Sequence, residues 1–336
     1  MPDVSVVIPT FNRLEYLKAA VASCFAGNEG LEVEVVIVDD GSTDGTPEWL
    51  ETLAGPGIVV VAGRHRGAAA ARNTGLGRAN SDHVKFLDDD DLLVPGALKT
   101  QFAQLPGLTA KQIPYGRVGW IDEKGNRIGE SAHRVRAAGE DPLLHVMYHN
   151  IMTASPLHRR EPLLKVNGFD ETLDCHQEYE LHLRLTANGY EFQFFDHIVY
   201  LQRHHASSNR ISNNDQLVSD PLYGIRLLDR RLEMLTKAAG GRPSRAWVIG
   251  LARMYWNYGR EMVRRGDDAA AKRYFVRARE VGGGEAIADP WYYRLAVRLL
   301  GPWQAEQLSR YWVKTSGRTP VDALDQAELA NRDVPS

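Results

Sequence analysis

Four consecutive carboxylates, Asp88–Asp91, follow an apolar pair in the stretch FLDDDDLLVP. An extended backbone sends alternate side chains to opposite sides, which predicts Asp88 and Asp90 on one side and Asp89 and Asp91 on the other. Two carboxylates aimed at one point repel unless a cation lies between them. A hard divalent ion, Mg2+ or Mn2+, suits such a pair, held by one or two protein oxygens and completed by substrate phosphates. The plainer reading is a solvated acid cluster that caps the helix begun by LLVPGALK. A second acid pair, Asp39-Asp40, ends the apolar run VEVVIVDD and weighs for the cation site.

Buried strands must hold these acids. VSVVIP, VEVVIVDD, GIVVVA and HVKFL are short β-branched or apolar runs. Between them lie helical patterns. NRLEYLKAAVASCFAG carries Leu14, Leu17, Val21, Cys24 and Phe25 at helical spacing, with Gly27 suited to a C-terminal cap. Thr46 with Pro47 reads as the start of a second helix, Gly67 opens a third over GAAAARNTGLGRA, and VPGALKTQFAQL is a fourth. Strands alternating with helices over residues 4–105 predict βαβ units and a mostly parallel sheet. Ligands of such sheets bind beyond the carboxyl ends of the strands. Pro9-Thr10, Asp39-Asp40, His65 and the aspartate run all fall at those ends.

Further along, YGRVGWIDEKGNRIG predicts a hairpin turning at Lys124-Gly125-Asn126, and HQEYELHLRLTANG predicts a helix. YEFQFF and IVYLQRHH are strand-like, and from about Asp215 the pattern turns helical. The segment YWNYGREMVRRGDDAAAKRYFVRARE resembles a single tetratricopeptide-like hairpin, too little for a solenoid.

The 336 residues allow about two domains, and a 43% hydrophobic, 25% charged composition is ordinary for a globular protein. A net charge of -3 points away from nucleic acid. Cys24 and Cys175 form no metal or redox motif, which fits a reducing compartment. No basic leader with a cleavage site precedes the first strand, and no apolar stretch reaches the ~20 residues needed to span a bilayer.

The pieces SVVIPTFNR, VVIVDDGSTDGT, RGAAAARNTG, FLDDDDLLVP, VNGFDETL with HQEYELHLRL, and QRHHASS occur in this order over roughly residues 4–210. Together they resemble the inverting glycosyltransferases of family 2. The resemblance implies an α/β fold of GT-A type, a Rossmann-like, mostly parallel mixed sheet flanked by helices, with a C-terminal helical extension. It implies a glycosyltransferase domain over residues 1–212, with a nucleotide-binding half (1–110) and an acceptor half (111–212). A helical region over 213–318 and a flexible tail over 319–336 would follow.

The roles implied by that resemblance fall on matching positions. Asp90, the last acid of an Asp-X-Asp motif, would hold Mn2+ or Mg2+ through a donor diphosphate. Asp88 would contact the ribose or the ion, and Asp89 joins the nucleotide-sugar set. Asp40 would read a uracil base flanked by Pro9 and Thr10. Arg72 would face the nucleotide or the acid cluster, where its fork suits phosphate or carboxylate, and His65 is a looser nucleotide-binding candidate. His205 would help hold the metal or diphosphate, with His204 as the alternative. Plainer readings stand beside these. Asp40 would close a turn with Gly41 and Ser42, Arg72 would be a structural ion-pair partner, and Thr10 would cap the first helix.

Direct displacement at an anomeric carbon needs a carboxylate to take the acceptor proton. The family usually supplies a Glu-Asp pair, and this chain has Gln177-Glu178 there. Glu178 shares a helical face with Leu181 and Leu185, which predicts that it rides the buried side and makes it the candidate base. Glu180 pairs with Arg184 at i, i+4, as on a solvated face. A helix-start acid favoured by the dipole is the plainer reading of Glu178. An acceptor site would draw on Trp120, His145 and NIMTASPLHRR, with Trp120 either stacking on a sugar or filling the hairpin core.

The reading is thus a cytoplasmic, metal-dependent transferase moving a sugar from a nucleotide-sugar donor, a UDP-sugar, to a glycan or lipid-linked glycan in bacterial surface-glycan assembly. A non-catalytic scaffold and a sugar nucleotidyltransferase are the rivals, though VVIPTFNR lacks the glycines of a nucleotidyltransferase phosphate loop. Residues 226–279 hold 14 basic against 5 acidic residues, interleaved with Trp247, Tyr255, Trp256 and Tyr258. Aromatic helix packing with solvated arginines explains this stretch. Peripheral contact with the inner face of the plasma membrane, or a homodimer interface, are the functional alternatives.

Overall fold

A computed structural model describes residues 1–53, 55–131, 135–173, 175–204, 220–287 and 291–316. The chain forms two compact units, Met1–Ile211 and Ser212–Ser336.

The first unit is built on a five-stranded sheet in the order β3-β2-β1-β4-β8. Its central strand β1 (Val4–Thr10) is buried at every position, as a run apolar on both faces must be. β1 pairs in parallel with β2 (Val33–Asp39) and β4 (His83–Phe86), and β2 with β3 (Ile58–Ala62). Helices α1 (Leu14–Phe25), α2 (Thr46–Thr52) and α3 (Ala68–Arg78) make the crossovers. The expected alternation therefore forms. At Gly75 of α3 an added Cβ would collide with the Val7 side chain, so only glycine lets the helix seat on β1. β8 (His158–Arg159) adds an antiparallel edge to β4.

A second sheet runs β5-β9-β6-β7. β6 (Gln112–Ile121) and β7 (Arg127–Glu130) form the expected hairpin, turning through Gly125 at φ +87°. YEFQFF and IVYLQR are not two strands. They are one, β9 (Glu191–Arg203), parallel to β6 and antiparallel to β5 (Leu92–Leu93). Helices α4 (Ala97–Gln104), α5 (Pro142–Tyr148), α6 (Arg160–Lys165) and α7 (Gln177–Ala187) complete the unit. The core is aliphatic: Val6, Ile8, Leu17, Cys24, Val35, Ile37, Leu87 and Leu98 are fully buried.

Two local expectations are corrected here. Phe25 ends α1 facing solvent, one position past the buried stripe of Leu17, Val21 and Cys24. Thr46 does not cap α2. Gly45 holds the cap position, and the Asp44 carboxylate accepts the Thr46 N–H at 3.0 Å and the Leu14 N–H at 3.3 Å, serving two helix starts.

The second unit is helical: α8 (Tyr223–Ala238), α9 (Arg245–Arg265), α10 (Asp268–Gly282), α11 (Trp291–Leu300) and α12 (Pro302–Ser316). Gly266 in the left-handed region ends α9, and Asp267 then caps α10 through the Ala270 N–H. Tyr255, Trp256, Tyr274 and Phe275 are buried, so aromatics do form the helix core. The arginines are not all outside, however. Arg260 is buried against Glu306 at 2.8 Å, and the Tyr293 hydroxyl donates to the same carboxylate oxygen. Among the described residues no helix is long and apolar enough to cross a membrane.

Candidate active site

The parallel sheet puts the carboxyl ends of β1, β2 and β4 side by side, and the polar residues gather there. Beyond β4 the chain does not stay extended. The Asp91 N–H returns to the Asp88 carbonyl at 3.1 Å, so the four acids lie on a turn and the expected two-sided alternation does not hold. Each acid is held by a partner, and Asp89 and Asp90 share one. Thr10, at the end of β1, donates its hydroxyl to Asp89 Oδ2 at 2.7 Å, which excludes its use as the α1 cap. Arg13 Nη1 reaches Asp89 Oδ1 at 3.2 Å and Asp90 Oδ2 at 2.7 Å. Arg72, from α3, pairs with Asp88 at 2.5 Å. Asp91 turns away and accepts the Arg203 N–H at 2.9 Å, latching the end of β9.

The crowding leaves a mark on the buried member. Burial pushes the Asp89 carboxyl up to about 7, with Arg13 pulling it down and Asp90 adding to the rise. Asp88 is the accessible one: its side chain keeps 35% of its surface and its Oδ2 makes no bond among the described residues. The donor set of the turn is carboxylate oxygen alone, which fits a hard divalent ion.

Asp40 ends β2 nearby. Its two oxygens accept the Arg66 and Gly67 N–H groups, each at 2.8 Å, and so fix the entry to α3. It is Asp39, not Asp40, that closes the turn with Ser42, at 3.0 Å. His65 is held at φ +37° with its N–H on the Asp40 carbonyl, and its Nδ1 lies 3.5 Å from Asp40 Oδ2. Its ring packs 4.1 Å from Phe11 and is largely exposed. Pro9 sits buried in β1 opposite Val38.

Arg72 links the acid turn to the start of α7. Its Nη1 donates to Gln177 Oε1 at 2.8 Å while its guanidinium lies 5.3 Å from the Phe169 ring. Glu178 follows directly, half-buried in the first turn of α7, with Oε1 accepting from Asn150 Nδ2 at 3.2 Å. The face shared with Leu181 and Leu185 is buried further along α7, and Glu178 overhangs its open end. Glu180 differs from expectation. It is buried, bonded by Arg184 Nε at 2.9 Å, and Arg184 goes on to the Gly168 carbonyl at 2.8 Å. The loop after α6 covers this pair, so it is a strut and not a solvated surface pair.

The acceptor candidates are mostly inside. His145 is buried, Trp120 packs on the core with its edge against His204 at 5.6 Å, and of NIMTASPLHRR it is Asn150 that reaches Glu178. His204 donates its N–H to the Ile121 carbonyl at 2.8 Å, and His205 lies outside the described residues. Sequence reasoning missed Arg13, Gln177 as an Arg72 partner, and Asn73, which holds the Phe169 N–H and carbonyl at 2.7 and 2.8 Å. Arg13 had a signal: it stands three residues past the end of the central strand, where a site is expected.

A Rossmann-like sheet with arginine-bound aspartates at its strand ends defines the class as GT-A. Residues 5–159 match the family model described as Glycosyl transferase family 2. The succinoglycan biosynthesis protein ExoO of Rhizobium meliloti (strain 1021) is 30% identical over 199 residues, 56% of this chain and 57% of that protein. The chondroitin synthase of Pasteurella multocida (strain Pm70) is 25% identical over 219 residues, 64% of this chain and 22% of that protein. The chain thus spans little more than half the length of the first of these relatives and less of the second. Among solved structures, S. aureus TarS 1-349 superposes with a TM-score of 0.56 at 18% identity, covering 94% of this chain and 92% of that one. Its complex with UDP gives 0.54 at 17% identity, covering 95% and 94%. At that identity the likeness is one of fold.

Proposed function

We propose that the chain is a metal-dependent inverting glycosyltransferase that moves a sugar from a UDP-sugar to a hydroxyl of a glycan or lipid-linked glycan in bacterial surface-glycan assembly. The observation that carries the reading is the strand-end turn of Asp88–Asp90 held by Arg13 and Arg72. The family-model match, the ExoO relative and the TarS complexes with UDP and UDP-GlcNAc support it.

In this reading Asp40 and Thr10 shape the base pocket, Asp88 and Asp89 face the ribose and diphosphate, and Asp90 with Asp88 holds the ion. When bound, Mg2+ or Mn2+ would neutralise charge on the departing diphosphate. Arg72 fixes Asp88 and, through Gln177, the start of α7. Glu178 takes the proton of the acceptor hydroxyl as its oxygen bonds the anomeric carbon from the face opposite the leaving group. The bond from that carbon to the diphosphate oxygen breaks with its electron pair, and the nucleoside diphosphate leaves. Asn150 orients Glu178 through its 3.2 Å bond.

One observation favours the scaffold reading: the family's acid pair is here Gln177-Glu178, and both side chains already have partners. Turnover separates the two. A panel of UDP-sugars with Mn2+ is expected to release UDP, and Glu178→Gln to lose release by at least 100-fold while UDP still binds. Equal turnover in the variant would remove Glu178 as base, and no turnover with any donor despite UDP binding would leave the scaffold.

The chain acts, in this proposal, at the cytoplasmic face of the membrane, touching it peripherally through the second unit.

A further inference from the structure

Glu140, His145 and His149 take no part in the transfer chemistry, yet they converge. Asp141 caps α5 by accepting the Leu143 and Leu144 N–H groups at 2.8 and 3.1 Å. His145 within the helix and His149 at its end are one turn apart, their rings 5.0 Å between centroids and tilted by 46°. Glu140 precedes the cap and folds back over it. Its Oε2 accepts the Ala137 N–H at 2.9 Å, and its Oε1 stands 3.6 Å from His145 Nδ1. One donor atom from each of the three residues lies within 4.8 Å of the other two.

The spacing is informative. At 3.6 Å the Glu140–His145 pair is too far apart for a hydrogen bond. A tetrahedral ion bound at ~2.0–2.1 Å by nitrogen and oxygen holds neighbouring ligands about 3.4 Å apart. Histidines at i and i+4 on a helix present both imidazoles to one point. Two imidazoles and one carboxylate suit borderline-soft Zn2+ and leave its fourth position open, in contrast to the oxygen-only acid turn.

We infer that Glu140, His145 and His149 form a Zn2+ site that staples the two ends of α5. A seven-residue helix is marginal by itself, so an ion joining the residue before its cap to the residue after its last turn supplies order that the helix lacks. The consequence reaches α7. Met147 accepts the Tyr179 hydroxyl, and Asn150, next to the ligand His149, bonds Glu178 at 3.2 Å. The zinc ion thereby sets where Glu178 sits. The site itself stands without the transferase reading; only this last consequence rests on it.

Full-length protein stripped of metal is titrated with Zn2+ in competition with a chromogenic chelator, and separately with Co2+ followed by visible absorption. Wild type is expected to bind a zinc that His149→Ala and Glu140→Gln bind at least tenfold more weakly. Its cobalt form should show the strong bands of a four-coordinate ion, and Asp90→Asn should keep both properties. Circular dichroism checks that the variants fold; should one fail, the wild-type cobalt spectrum decides. Weak six-coordinate bands in wild type, equal zinc affinity across wild type and the two site variants, or loss of the zinc in Asp90→Asn would each overturn the assignment.

Discussion

Asp89 and Asp90 are bearable side by side because Arg13 reaches both with one nitrogen, and Arg72 takes Asp88. This answers part of the repulsion with fixed protein charge, where the sequence alone pointed to a metal ion. The aspartate run was legible as a site from its place at a strand end. Its turn was not, because that conformation comes from a backbone bond between Asp88 and Asp91 that no side-chain pattern encodes. Two substitutions separate the roles. Arg13→Gln leaves two neighbouring carboxylates without their cation and should cost about 2 kcal/mol, below the ~3–5 of a fully buried pair because the guanidinium is 18% exposed. Urea unfolding measures it, and a loss under ~0.5 kcal/mol would mean the turn does not depend on Arg13. Asp90→Asn should fold normally, since an amide can still accept from Arg13, but should lose at least tenfold in Mn2+-dependent UDP affinity by calorimetry. Unchanged affinity would take the ion away from Asp90.

Elements with a strict period were readable: β1, β2, β4 and their crossover helices stand where apolar runs and helical spacing put them. Elements defined by a distant partner were not. The two-residue β8 exists because Val84 pairs with His158, and β9 is one strand because β6 pairs with it on both sides of a register shift at Asp196-His197. The same long-range packing hides a titration. The His182 ring of α7 lies tilted 5.6 Å from His158 of β8 and 4.7 Å from Phe192 of β9. Burial pulls His182 down to about 3, and burial with the neighbouring His182 and Lys85 holds His158 well below the ordinary histidine value. Both stay neutral when folded and take up protons on unfolding. Their contribution is complete above pH ~6.5 and is lost as pH falls, for His182 down towards about 3. The His182 share should cost about 2 kcal/mol between pH 6.5 and 5. His182→Leu should remove its share of that slope while changing little above pH 7 apart from a constant offset. Parallel unfolding curves for wild type and variant from pH 7 to 5 would show that His182 is already charged in the folded protein.

At the scale of the whole molecule the near-neutral total conceals a division. Residues 226–279 hold 14 basic against 5 acidic residues, so the acid excess lies in the remainder of the chain. Helix packing uses some of that charge internally, as Arg260 with Glu306 and Arg277 with Asp229 show. Next to it, α11 buries Tyr293 and Val297 and leaves Trp291, Tyr292, Leu295 and Leu299 exposed by 69, 57, 45 and 73%. Arg294 and Arg298 lie on the same helix. Aromatic and leucine side chains beside arginines suit the interface of an anionic bilayer, where each nearby basic residue adds about 1 kcal/mol and salt weakens the attraction. The protein should therefore float with phosphatidylglycerol vesicles at low salt, far less with neutral phosphatidylcholine, and less again as ionic strength rises. Leu299→Glu should cut flotation severalfold, because it adds repulsion and removes apolar area without touching the buried face of α11. The rival occupant of that face is a second copy of the chain. A concentration-dependent mass in sedimentation that Leu299→Glu abolishes, with vesicle binding absent in wild type, would assign the face to a dimer and end the membrane proposal.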